Sequence, residues 1–380
     1  MLYGGHYRCA LTLIAKTWPI AMTLTTRLED STVQRLSFLI LPCSIHTMVP
    51  FSEKALLLAP MVGITNRAFR TLLDELGGPD YAFTEMASAE AFIAHAQFEA
   101  FYTDAGPLPR STSVQFYARS SEAMAAACSE LLKRNAAEAP AGVDINFGCS
   151  APHIRKTGGG SAWSADPAGA AAMVAAARAA WPGILSAKVR MGPDDDYDRF
   201  LDFCSNIAGA GLDFISVHPR TDGQRFRRKP RHDFTLRLAS DLPIPVVANG
   251  DIVDADSAGR FLDGHGAEAA GTCAVMIGRE AVRRPWIFRL LRAELRGAPP
   301  CPPVDRLAIG LRFIDLAESM LPAAWSLESS RRFFSYFCET MSFAHHIKYR
   351  LMNSPSLEAM RVNLATYFEE VPDDRIVDKA

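Results

Sequence analysis

The sequence has no run of about 20 apolar residues, so nothing in it reads as a membrane span. It has no Cys-x-x-Cys pair and no Cys/His cluster at metal-ligand spacing. Its eight cysteines (Cys9, Cys43, Cys128, Cys149, Cys204, Cys273, Cys301 and Cys338) lie far apart. No metal is expected, and this usage fits a reducing cytoplasm. A global basic signature is missing too. With a formal net charge of -2 and a pI near 6.5, any contact with nucleic acid must come from a local patch. Residues 1–47 lack the clean basic, apolar, small-residue order of an export signal. Upstream sequence ahead of a second start at Met48 is preferred over a weak export or transit signal. The stretch is then an extension that is disordered or absent from the native chain.

What is present is a core. Hydrophobic residues make up 49% of the 380 residues and charged ones 22%, which excludes disorder as the dominant state. The length suits a barrel of about 250 residues plus a smaller unit. From Leu56 onward, short apolar β-rich runs alternate with helical patterns. The strands are read at Leu56 to Pro60, Tyr81 to Met86, Thr112 to Tyr117, Val143 to Gly148, Leu185 to Met191, Phe214 to Pro219, Val246 to Asp251 and Ala274 to Gly278. Helical spacing fills Asn66 to Leu76, Glu122 to Ala137, Pro167 to Trp181, Tyr197 to Ala210 and Asp256 to Leu262. Asp166-Pro167 reads as an N-cap followed by proline at the first helical position. Eight strands with helical crossovers, and no Gly-x-Gly-x-x-Gly opening the first unit, favour a closed (β/α)₈ TIM barrel over a doubly wound sheet.

A helix around Trp286 to Leu295 closes the barrel, and Gly297-Ala-Pro-Pro-Cys-Pro-Pro303 reads as a linker. Beyond it, Leu307 to Met320, Glu328 to Met341 and Leu357 to Tyr367 are helical with no strand signal between them. The expected organisation is an α/β barrel over residues 48–296, followed by a small all-α helical bundle over 304–380.

Barrel chemistry sits at the C-terminal ends of the strands, and polar or special residues recur there. Strand one runs into Pro60, Met61 and Val62, strand three holds Gln115, and strand four leads through Asn146 to Cys149. Strand five carries Lys188 and Arg190, and strand six ends at His218. Strand seven ends at Asn249, Gly250 and Asp251, and strand eight at Gly278 and Arg279. One such residue has a bland explanation, but seven at one end point to a shared site. Gly250 and Gly278 let backbone N–H groups approach a phosphate, and Arg279 adds charge at the usual barrel phosphate position. Gln115 and Lys188 suit the polar edge of a flavin ring, where a cation stabilises the charge of reduction.

The stretches Leu58-Ala-Pro-Met-Val-Gly-Ile-Thr-Asn66, Asp144-Ile-Asn-Phe-Gly-Cys149 with Gly158-Gly-Gly160, Lys188-Val-Arg190, Val217-His-Pro-Arg-Thr221, Asn249-Gly-Asp251 and Met276-Ile-Gly-Arg279 resemble tRNA-dihydrouridine synthases in order and spacing. The resemblance is strong from Leu56 to Arg292 and extends into the helical tail through Phe334 to His345 and Lys348-Tyr-Arg350. It implies a barrel holding FMN and a helical domain that grips tRNA. It also implies reduction of particular uridines to 5,6-dihydrouridine with NADPH, or NADH, as reductant. Carried over by position, Pro60, Met61, Val62, Gln115, Lys188, His218, Asn249, Gly250, Asp251, Gly278 and Arg279 line FMN, Asn146 touches the uracil, and Cys149 donates the proton. A thiol with an ordinary pKa of about 8.5 is protonated at neutral pH and can serve as that acid. Cys128, Cys204, Cys338 and Cys273 fit the role of small buried hydrophobes. The chain departs from the family pattern at Ser150, where Pro is usual, at Pro219, where Gly is usual, and at Gly160-Ser-Ala-Trp163, which replaces a more aliphatic stretch.

An RNA substrate demands local positive charge. The loop Arg220 to Arg231 carries Arg225, Arg227, Arg228 and Lys229 besides its two end arginines, against Asp222 alone, with Phe226 available for stacking. With Arg190, these cations are the expected substrate contacts. Arg331, Arg332, Lys348 and Arg350 suggest a second patch on the helical region. No obligatory protein partner is evident, and a monomer is expected. Two rival readings stay open: an FMN barrel acting on a free pyrimidine, like dihydroorotate dehydrogenases, and a tRNA-binding protein without redox activity.

Overall fold

The alternating pattern resolves into eight parallel strands curled into a barrel. The computed structural model describes residues 49–52, 54–135, 138–262 and 272–378. The strands are β1 (Ala55–Leu58), β2 (Ala82–Ser88), β3 (Thr112–Tyr117), β4 (Gly142–Phe147), β5 (Ile184–Arg190), β6 (Phe214–His218), β7 (Val246–Asn249) and β8 (Thr272–Ile277). Neighbours pair in parallel from β2 round to β8, and β8 pairs with β1. The ring closes where Leu57 bridges Tyr81, with Leu58 N donating to Tyr81 O at 2.9 Å. Most strand residues are apolar on both faces because both are buried, with polar exceptions such as Ser113, Asp144 and Ser186. Leu57, Phe83, Phe214, Val247 and Met276 belong to one core cluster, while alternate residues such as Leu56, Leu58, Val275 and Ile277 pack with the helices.

Local sequence explains where the elements start and stop. Asn66, Ser120 and Asp166 each accept a backbone N–H of the following turn, at Phe69, Ala123 and Gly169, and so cap the helices Arg67–Glu75, Ser121–Arg134 and Pro167–Ala180. Strand β7 stops at Asn249, two residues short of the sequence expectation. Gly250 and Asp251 both take positive φ (121° and 51°) and turn the chain outward there. The expectations for residues 1–47, Met48, Cys9 and Cys43 fall outside the described residues.

Four helices follow the linker: Arg306–Met320, Ala323–Phe337, Ala344–Met352 and Leu357–Glu370. The third was not anticipated, because it buries only Ile347 and Leu351, too narrow a stripe to stand out. A two-residue antiparallel ladder, Val304–Asp305 with Ile376–Val377, ties the ends of this region together where no strand was predicted. The helices pack directly on the barrel. Phe69 meets Phe313 and Phe333 at ring separations of 6.3 and 6.1 Å, and Asn66 Nδ2 donates to Ser329 Oγ at 2.9 Å. Burial of each phenyl ring contributes about 1.5–3 kcal/mol. The surface pair Arg312–Glu75 adds at most about 1 kcal/mol, so the aromatic seam dominates this junction. Among the described residues no helix is long and apolar enough to cross a membrane.

Candidate active site

The C-terminal ends of the strands open on a cavity of about 770 Å³, a size suited to a cofactor with part of a substrate. From the β1 end it is lined by Pro60, Met61 and Val62, from β3 by Gln115, and from β4 by Asn146 and Cys149. Lys188 and Arg190 of β5 and His218 of β6 continue the wall. Asn249, Gly250 and Asp251 beyond β7, Gly278 and Arg279 beyond β8, and Arg225 complete it. Arg227, Arg228, Lys229, Lys348 and Arg350 do not line it. Sequence reasoning missed several lining residues, among them Met86, Arg283 and Tyr336. Met86 ends the second strand of the sequence reading, Arg283 lies one helical turn past the strand-end signal, and Tyr336 comes from the C-terminal helices.

Cys149 is the one cysteine of the described residues that lines the cavity. It sits on a turn built by Asn146, whose Oδ1 accepts from Gly148 N at 3.1 Å and Cys149 N at 2.8 Å. Ser161 N donates to Cys149 O at 3.0 Å. Gly160, at φ 60°, packs so close that a Cβ there would lie 2.5 Å from Cys149 O, so only glycine lets the turn seat. Burial pushes the Cys149 thiol above its ordinary pKa, against the opposing pull of the Ala151 N–H and the Arg190 cation. Cys128, Cys204 and Cys338 are buried among apolar residues, and Cys273 bonds weakly to Val246 O at 3.8 Å.

Lys188 is half-buried at the cavity and has no hydrogen-bond or ion-pair partner among the described residues. Burial, with the neighbouring Arg190 cation, lowers its ammonium to about 7 against the pull of Asp144. His218 is held neutral, its pKa well below the ordinary value through burial and the surrounding Lys188, Arg190, Arg220 and Arg279 cations. Asp144, fully buried, is raised to about 6 by burial despite hydrogen bonds from Gln115 and Ser186. A cluster of cations facing a cavity, one of them unpartnered, fits an anionic occupant.

The far wall departs from expectation. Arg279 was read as a free cation for phosphate, and Arg220 as part of a basic loop. Instead Asp251 sits between them, 2.5 Å from Arg220 Nη2 and 3.0 Å from Arg279 Nη2. Arg220 is buried and also donates through Nε to Arg228 O at 2.6 Å, so it anchors the loop from inside. Phe226 stacks beside His218 and lies 4.5 Å beneath the Arg279 guanidinium. Gly250 must be glycine, for its φ and for a Cβ that would come within 3.0 Å of His218 Cδ2; at Gly278 a Cβ meets only ordinary contacts, with Ala59 and Met61.

The cationic loop divides in two. Arg231 is paired with Asp195 and Asp233, whereas Arg225, Arg227, Arg228 and Lys229 are exposed with no acidic partner among the described residues. The second patch suggested by the sequence is paired internally. Arg350 binds Glu370 at 2.9 and 3.2 Å, Lys348 lies 3.9 Å from Glu339, Arg332 pairs with Glu328, and Arg331 donates to Ser354 O. On a helical bundle, neighbouring acids absorb these charges: Glu328 lies one turn from Arg332 on the same helix, whereas Glu370 and Glu339 come from other segments.

A family model described as dihydrouridine synthase matches residues 57–371. The chain belongs to the dihydrouridine synthase family. Among its relatives, the tRNA-dihydrouridine synthase B of Pseudomonas putida is 27% identical over 318 residues, covering 83% of this chain and 91% of that one. A probable tRNA-dihydrouridine synthase of Mycobacterium tuberculosis is 32% identical over 257 residues, 65% of this chain and 64% of its own. The tRNA-dihydrouridine(16) synthase of Cupriavidus necator is 32% identical over 255 residues, 64% of this chain and 75% of its own. The dihydrouridine synthase match runs from β1 to the end of the helix Leu357–Glu370. Barrel, cavity and C-terminal helices therefore all lie within the family's extent.

Proposed function

We propose that this dihydrouridine synthase reduces uridines of tRNA to 5,6-dihydrouridine, with FMN in the cavity and NADPH as reductant. One observation carries this reading: a partnerless ammonium, Lys188, and a protonated thiol, Cys149, share a cavity at the mouth of the barrel. When bound, FMN would supply the redox chemistry, relaying a hydride from the nicotinamide to C6 of the uracil. Lys188 and Gln115 would hold the polar edge of the ring, and Pro60, Met61 and Val62 would pack against it. His218, Asn249, Gly250, Asp251, Gly278 and Arg279 would hold the ribityl phosphate end of the cofactor. Asn146 contacts the uracil, and Cys149 gives its thiol proton to C5, completing addition of one hydride and one proton across the C5–C6 bond. Solvent then returns a proton to the thiolate. Ser150, in place of proline, supplies a backbone N–H of its own in this loop.

The uridine must leave its stack to reach the cavity, and the exposed cations Arg225, Arg227, Arg228 and Lys229 lie on the loop that borders the mouth. They hold the phosphates beside the extruded base, with the helical region 304–380 gripping the tRNA body. Replacing Arg227, Arg228 and Lys229 together by alanine is expected to reduce the slope of log affinity against log salt by up to about 3. Unchanged affinity and slope would remove the loop from the interface.

The function itself is tested with purified, flavin-loaded protein and tRNA from cells lacking this activity. NADPH-dependent appearance of dihydrouridine is the expected result. Oxidation of NADPH by orotate but not by tRNA would favour a free-pyrimidine reductase, and a colourless protein that binds tRNA would favour a binding module.

A further inference from the structure

We propose that Asp144 is a positioning residue that fixes the direction of an amide relay ending at the backbone of Cys149. The inference rests on the assignment of Cys149 as the acid but concerns a residue that touches neither flavin nor base. Asp144 lies on β4 opposite Gln115 of β3 and is completely buried. Its Oδ1 accepts from Ser186 Oγ at 2.5 Å and its Oδ2 from Gln115 Nε2 at 2.7 Å. An ionised carboxylate can only accept, so the amide nitrogen of Gln115 must face it and Oε1 must face away. Gln115 Oε1 then accepts from Asn146 Nδ2 at 2.9 Å. That turns Asn146 Oδ1 toward Gly148 N and Cys149 N, at 3.1 and 2.8 Å. Each amide alone could sit either way round; the carboxylate at the root removes the choice for both.

Reversing the relay is unfavourable at its far end. With Asn146 flipped, its NH₂ would confront the Cys149 N–H, donor against donor, and the turn that presents the thiol would lose the acceptor for two backbone groups. Asp144→Asn is nearly isosteric and keeps an oxygen for Ser186. Its new NH₂ would donate to Gln115 Oε1 and flip both amides in sequence. Adding Gln115→Glu restores the original direction, because a carboxylate at position 115 accepts from both Asn146 Nδ2 and the new amide at position 144.

The test reads the position of Cys149 directly, by the rate of its alkylation with iodoacetamide in the flavin-loaded protein, quantified by peptide mass spectrometry. Asp144→Asn is expected to free the turn and raise that rate about tenfold, with uridine reduction falling about 100-fold. Compared at matched flavin occupancy, the double variant Asp144→Asn/Gln115→Glu is expected to return alkylation to the wild-type rate. Wild-type alkylation in Asp144→Asn would overturn the proposal. So would failure of the double variant to restore it, since loss of a buried charge alone would then explain the single variant. If Cys149→Ala retained turnover, the assignment of the acid would fail instead, and the alkylation pattern would still report on the relay.

Discussion

Cys149→Ala is expected to lower uridine reduction by about 10²–10⁴-fold, the usual contribution of a positioned general acid, while leaving flavin content and the rate of flavin reduction by NADPH unchanged. That split follows from geometry. Cys149 is held by its own backbone, through Asn146 Oδ1 and Ser161 N, and by the close approach of Gly160. Removing Sγ therefore deletes the proton source without opening the turn. The pH dependence has a definite sign. The reaction needs the protonated thiol, and burial raises its pKa above the ordinary value. Activity should persist through neutral and mildly alkaline pH and decline only as pH rises through that elevated pKa. Single-turnover reaction of reduced enzyme with tRNA at several pH values isolates this step. An alkaline limb near pH 7, or full activity in Cys149→Ala, would show that another group supplies the proton.

How much of this was legible from sequence depended on whether a residue's partners are local. The barrel was readable because each strand is a short apolar run between helical patterns, and because Asn66, Ser120 and Asp166 cap the helices that follow them. The cavity wall was readable because the fold puts the C-terminal end of every strand on one face. Pairings across the barrel were not. That Asp251 would be shared by Arg220 and Arg279, or that Arg350 would pair with Glu370, depends on chain segments 31, 28 and 20 residues apart. Tyr336 reaches the cavity only because the C-terminal helices dock along the Phe69, Phe313 and Phe333 seam. No local pattern marks such a residue. The amide relay was likewise invisible, since Gln115 meets Asp144 only through the parallel register of β3 against β4.

Lys188→Met is expected to move two measurements in opposite directions. In the flavin-free protein the Lys188 pKa lies near 7 instead of the ordinary 10.5, so the fold disfavours the charged form. The unfolded chain protonates Lys188 freely below about 10.5, and folding is penalised increasingly as pH falls from there to about 7, reaching its full extent below that. Methionine fills similar space without the charge, so the flavin-free variant should unfold at higher temperature than wild type at neutral pH. Flavin binding should weaken, by about 10–100-fold for one charge-assisted hydrogen bond, because the polar edge of the ring loses its cationic donor. Proton linkage separates this from a loss of shape. At pH 8 most Lys188 is neutral in the free protein, and a hydrogen-bond-accepting edge of the flavin beside it favours the charged form, so wild-type binding should take up a proton. At pH 6 the group is already charged and uptake should be small. Calorimetry in buffers of different ionisation enthalpy measures that uptake, and Lys188→Met should abolish it. If the variant bound FMN as tightly as wild type, with the same proton uptake at pH 8, Lys188 would be a spectator and the cation for the flavin edge would have to be sought at Arg190.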